Sequence, residues 1–73
     1  MTRLTQNTAV QALADGKGLR LISQLIQEKL ESGLTEQQSV YEIVRLLEKY
    51  KKKDEETALA LTEHLREWMY GKR

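Results

Sequence analysis

The side chains able to do chemistry are few and scattered. The chain has one histidine, His64, no cysteine, and aspartate only at Asp15 and Asp54. Thiolate nucleophiles and thiolate metal sites are out of reach, and any metal cluster would have to form around a single imidazole. Carboxylates pair at helical spacing, Glu28 with Glu31 and Glu63 with Glu67. Both pairs fall on polar helix faces, where charge serves solubility. Asp15-Gly16-Lys17-Gly18 has the look of a phosphate loop but lacks the G-x-x-x-x-G-K-[ST] spacing and a preceding strand. It reads as a flexible joint between helices. His64 lies between an apolar stripe and the polar side, and reads as a packed or water-bonded imidazole. The expectation is a non-enzyme with no catalytic, cofactor or metal residues, no cofactor and no small-molecule substrate.

The strongest charge feature is Lys49, Lys51, Lys52 and Lys53, followed at once by Asp54, Glu55 and Glu56. Cations at one helix C-terminus and acids at the next N-terminus are what two helix dipoles favour. That accounts for the whole block. The alternative is a basic patch in which Lys51, Lys52 and Lys53, with Arg3, touch nucleic acid. Twelve Lys/Arg against eleven Asp/Glu give a net charge of +1, so no global field calls for nucleic acid or an anionic membrane. The apolar runs are too short for a membrane span or a signal-peptide core. The chain reads as soluble and cytoplasmic.

Seventy-three residues, no Pro and no Phe point to one small helical domain. Residues 1–7 read as a mobile arm, 8–70 as the domain, and 71–73 as a frayed basic tail. Thr8 and Gln11 have the spacing of a capping box ahead of a short helix that Gly16 would end. A second helix spans about Leu19 to Ser32, with Leu19, Ile22, Ile26 and Leu30 on its stripe, Leu21 and Leu25 widening it, and Gly33 as its stop. Thr35 and Gln38 form a second capping box, which opens the central helix, Thr35 to Tyr50.

At about 100° per residue, Val40, Ile43, Val44, Leu46, Leu47 and Tyr50 share one broad face of that helix. A face so wide needs more than one neighbour. Val40 and Ala58 are five whole turns apart, so the stripes would stay in phase on one long helix. That helix would bury Asp54, however, and a break near Lys53–Asp54 is expected instead. The last helix runs from about Glu55 to Tyr70, with Ala58, Leu61, Leu65, Trp68 and Met69 on its stripe. Fold class is thus all-α: a short N-terminal helix plus a three-helix bundle made of an αα-hairpin and a C-terminal helix, expected as a homodimer because the stripes of the last two helices exceed what one small chain can cover.

Ile22, Ile26, Val40, Ile43, Val44, Leu47, Leu61, Leu65 and Trp68 are the expected core or dimer-packing residues. Tyr41, Leu59 and Tyr70 stand off the stripes and mark a candidate partner surface. The turn before the central helix also invites a helix-turn-helix reading, with Gln37, Gln38 and Ser39 reaching base edges. The long preceding helix and Glu36 and Glu42 count against it.

The order of Leu21-Ile22, Leu25-Ile26, Gly33, Ile43-Val44-Arg45-Leu46-Leu47-Glu48 and Asp54 resembles the AriR (YmgB) family of small enterobacterial regulators of biofilm development and acid resistance. The likeness spans residues 19–69. The Lys-rich connector is longer and more basic than the family's. Residues 19–47 also resemble the dimerising hairpin of SinI-type antirepressors. Both resemblances imply an all-α homodimer that regulates by binding other macromolecules. The leading expectation is a regulatory protein acting through protein–protein contacts, with a DNA-binding regulator or a structural subunit of a larger assembly as alternatives.

Overall fold

The structure, a computed structural model, describes residues 6–71. It is all-helical over that range: α1 (Gln6–Ala14), α2 (Gly18–Glu31), α3 (Glu36–Lys51) and α4 (Glu55–Tyr70). The helices α2, α3 and α4 all pack on one another, and α1 lies against α2 and α4.

The ends of the helices are written in local chemistry. At the close of α2, Gly33 takes a positive φ of 102°, which a side chain would resist. This lets the Leu34 and Gly33 N–H groups donate to Lys29 O and Leu30 O, a Schellman closure. Gly16 closes α1 in the same way, through Lys17 N–H to Ala12 O at 2.7 Å. At the start of α3, Thr35 Oγ1 accepts from Gln38 N–H at 3.1 Å while Gln38 Oε1 accepts from Thr35 N–H at 3.0 Å. The capping box predicted there is complete.

The break at Asp54 is also present. Its carboxylate accepts from the Thr57 backbone N–H at 3.2 Å and from the Thr57 hydroxyl at 2.6 Å. These bonds satisfy donors at the start of α4 that a continuous helix would have used otherwise.

The first capping box does not form. α1 begins at Gln6, so Thr8 already sits inside the helix, and Gln11 donates instead to the Asp15 carboxylate one turn on. The helix thereby takes in Gln6 and Asn7, which the sequence assigned to the arm. The cap of α1 and the rest of that arm, with Arg3, lie outside the described residues, as do residues 72–73 of the tail.

The core gathers Leu21, Ile22, Leu25 and Ile26 from α2, Ile43, Leu47 and Tyr50 from α3, Ala58, Leu61 and Leu65 from α4, and Ala9 from α1. Leu30, Val40, Val44 and Trp68 are half-buried at its edge, and Leu46 is half-buried too. Leu19 and Met69, both placed on buried stripes by periodicity, are exposed. Leu19 lies in the first turn of α2, and Met69 in the last turn of α4, where fewer helices remain to cover a stripe.

Ser39 is fully buried, and its hydroxyl donates to Thr35 O at 2.8 Å. Gly18 is buried because α4 comes close: a Cβ there would overlap the His64 imidazole, with Nε2 at 2.6 Å, and Leu13 Cδ2 at 2.9 Å. The glycine read as a joint is therefore a packing residue.

Leu47→Ala should leave the protein close to unfolded, because deleting a buried Leu costs about 2–5 kcal/mol against a total of about 5 for so small a domain. Val44→Ala, one turn away and half-buried, should keep a cooperative melt. Circular dichroism melts check both, and a near-wild-type midpoint for Leu47→Ala would contradict the core described here.

Tyr50 adds a pH dependence. Its ring is buried and its hydroxyl finds no hydrogen-bond partner among the described residues. Burial first, and then the negative charge of Asp54, push the phenol above the ordinary tyrosine value of about 10. The fold thus favours the neutral phenol. That contribution is present below about pH 10 and is lost as pH rises through the raised value. Tyr50→Phe should be as stable as wild type or slightly more so at neutral pH, since an unmatched hydroxyl is removed. It should also lose less stability in strong base, as urea titrations at the two pH values would show.

Candidate interaction surface

α3 and α4 are joined by the short turn at residues 52–54, so they run antiparallel, and their shared outward side is open. Near the turn, Val44, Leu47, Ala58, Leu59, Thr62 and Leu65 line a groove of about 190 Å³, with Glu48 and Lys51 at its edge. At the far end of the same helix pair, Glu36, Gln37, Val40, Trp68 and Met69 form a second hollow.

Val40 and Val44 are one turn apart and connect the two along α3. The result is an apolar strip over both helices, with half-buried side chains on its floor. Its exposed apolar members are Leu59 at 48% and Met69 at 41%.

The three residues proposed from sequence as a partner surface are all exposed. Tyr41 shows 62% and Tyr70 65% of their surface. On α4, Tyr70 lies only about 20° around the helix from Leu59, eleven residues earlier, so both project to the same side. On α3, Tyr41 flanks the strip. Gln37 lines both the hollow beside Trp68 and another formed by Leu34, Gln38, Tyr41, Glu42 and Arg45. The Arg45 guanidinium stands 5.9 Å from the Tyr41 ring centre, within cation–π range.

The expected core and dimer-packing residues therefore divide. Ile22, Ile26, Ile43, Leu47, Leu61 and Leu65 are buried within the single chain, whereas Val40, Val44 and Trp68 remain half-accessible on or beside the strip. Met69, Thr62 and Glu48 join the strip although sequence periodicity gave no reason to single them out as surface. Their placement follows from how α3 and α4 lie side by side.

The base-reading arrangement does not assemble. Ser39 is buried, and Gln38 is held in the capping box, so of the three polar residues only Gln37 is exposed and uncommitted to the start of α3. Lys51, Lys52 and Lys53 are exposed, with Lys51 closing α3 and Lys52 capping it.

His64 is half-buried against Gly18, and its Nδ1 lies 3.5 Å from Glu67 Oε2. Among the described residues no group of three or more His, Cys, Asp or Glu could hold a metal ion, and no helix is long and apolar enough to cross a membrane. Compared with protein-family models, curated proteins and solved structures, the chain matches none.

Proposed function

We propose that this chain is a small, non-enzymatic regulatory protein of the cytoplasm that acts through protein–protein contacts on the outward side of α3 and α4. The apolar strip between those helices carries the reading. Half-buried Val40, Val44 and Trp68 form a receptive floor, and Leu59, Met69, Tyr41 and Tyr70 surround it with exposed apolar and aromatic groups. Partner surfaces have this composition, with apolar and aromatic anchors inside a polar rim. The likeness of residues 19–69 to the AriR family supports a regulatory role over a purely structural one.

The alternative, DNA binding through Arg3, Lys51, Lys52 and Lys53, has less support. Gln38 and Ser39 are engaged in the start of α3, and the lysines run directly into Asp54, Glu55 and Glu56.

Capture from a lysate with wild type and with Leu59→Asp tests the reading. Proteins held by wild type and released by the variant support it, and identical captures contradict it. Duplex titrations at two salt concentrations should show little binding at either, whereas tight binding that falls steeply with salt would favour the DNA-binding alternative. Changing Lys51, Lys52 and Lys53 together to Gln should leave the fold intact, since helix-end charges contribute only about 0.3–1 kcal/mol each. Loss of the cooperative melt in that triple variant would contradict a solvated lysine block.

A further inference from the structure

We infer that the outer face of α3 is a docking ridge for an extended acidic segment of another protein, held by Arg45, Lys49, Lys52 and Lys53. The ridge points away from the core and is separate from the α3–α4 strip, so the inference does not rest on the reading above.

The net charge of +1 conceals a separation along the chain. Residues 41–53 hold five cations against two carboxylates, and residues 54–70 hold five carboxylates against one arginine. At about 100° per residue, Arg45, Lys49 and Lys52 fall within about 60° of one another, on the side of α3 opposite the buried Ile43 and Leu47. Lys53 lies beside Lys49, since both line one hollow with Leu46 and Tyr50. The helix dipole favours cations in the last turn. It does not ask them to share a face, and Arg45 stands more than a turn before the end of α3.

These charges are unspent. The ion pairs His64–Glu67 and Arg66–Glu63 both lie within α4, and none of the four ridge cations pairs with a described residue. Asp54, the next acid in the chain, gives its carboxylate to Thr57.

The ridge also has an apolar foothold. Leu34, Gln37, Gln38, Tyr41, Glu42 and Arg45 line a hollow of about 390 Å³ at its far end. There the Arg45 guanidinium stands over the Tyr41 ring, 5.9 Å from its centre. That contact restrains the fork before a ligand arrives and lowers the cost of ordering it. Gln38 Oε1 is taken by Thr35 N–H, which leaves the amide NH2 to donate beside Arg45. An apolar side chain of the segment rests on Leu34 and Tyr41, and its neighbouring carboxylates reach Arg45 and Gln38.

Shape selects a protein segment over nucleic acid. From Tyr41 to Lys53 the ridge runs about 18 Å, the span of about five or six extended residues. Alternate side chains of such a segment fall about 6.6 Å apart, close to the rise of about 6 Å from Arg45 to Lys49. A duplex brings one charge per about 1.7 Å, and it would lie across Glu42 and Glu48, which flank the ridge on its two sides. A single strand needs open aromatic faces for its bases, but Tyr50 is buried and Arg45 already covers Tyr41.

Fluorescence anisotropy tests the inference, with the full chain titrated into a labelled short peptide that alternates Asp with Ser around one Phe. Wild type should bind this peptide and not its counterpart with Asn for Asp. Arg45→Gln with Lys49→Gln should weaken binding about fivefold to tenfold, as should Lys52→Gln with Lys53→Gln. Lys17→Gln with Arg20→Gln removes as much charge from exposed positions at the start of α2 and should change nothing. Circular dichroism checks that each variant keeps its helices, and the Lys52 and Lys53 pair, beyond the end of α3, carries the test if the first pair does not. The inference is overturned if wild type ignores the acidic peptide or binds the Asn peptide equally. Equal weakening by the α2 pair, or tighter binding of single-stranded oligothymidylate than of the peptide, overturns it too.

Discussion

One buried stripe holds the molecule together. Ile43, Leu47 and Tyr50 of α3, with Ser39 below them, face α2 and α4 at once, and the aliphatic side chains of those two helices close over them. Because α1 lies against α2 and α4, α3 has two neighbouring helices and no third among the described residues. Its broad apolar face is therefore covered on one side only. Val40 and Val44, which continue that face around the helix, come to rest half-exposed beside α4. The open strip is thus a direct consequence of a stripe too wide for the helices available to bury it.

Helix ends decide that this stripe belongs to a hairpin rather than to one long rod. Asp54 is the critical residue. A helix running straight through the lysines would bury its carboxylate. As an N-cap, the same carboxylate satisfies both the backbone and the hydroxyl of Thr57. The lysines before it and the glutamates after it each sit at the helix end whose dipole they favour. The turn folds α4 back beside α3, and this juxtaposition creates the surface.

Elements with strong local signals could be read from the chain. Gly33, the Thr35–Gln38 box and Asp54 each bind their own neighbours, so sequence spacing was enough to place them. The pattern failed where the outcome depended on distant chain. Thr8 and Gln11 have the spacing of a cap, but the helix starts earlier and Gln11 pairs with Asp15. Ser39 looked like a polar reader of DNA, yet it can be buried because its hydroxyl returns to Thr35 O within its own helix. Gly18 looked like a hinge until α4 brought His64 against it. Periodicity also gives a stripe no ends, so Leu19 and Met69 were assigned to a core that does not extend to them. The candidate surface was half visible. Tyr41, Leu59 and Tyr70 stand off the stripes and could be named, whereas the part played by Thr62, Met69 and the two valines depends on the side-by-side placement of α3 and α4.

The central claim is that the outward side of α3 and α4 is a contact surface. Methyl NMR with a soluble paramagnetic probe addresses it most directly. In dilute protein the methyls of Val44, Leu59 and Met69 should be strongly broadened by the probe, and those of Ile22, Ile26 and Ile43 should not. As protein concentration rises, the first set should become protected while the exposed methyls of Val10 and Leu19 stay broadened. If Val44, Leu59 and Met69 remain as open to the probe at high concentration, and equally open in host lysate, the face contacts nothing and the account is wrong.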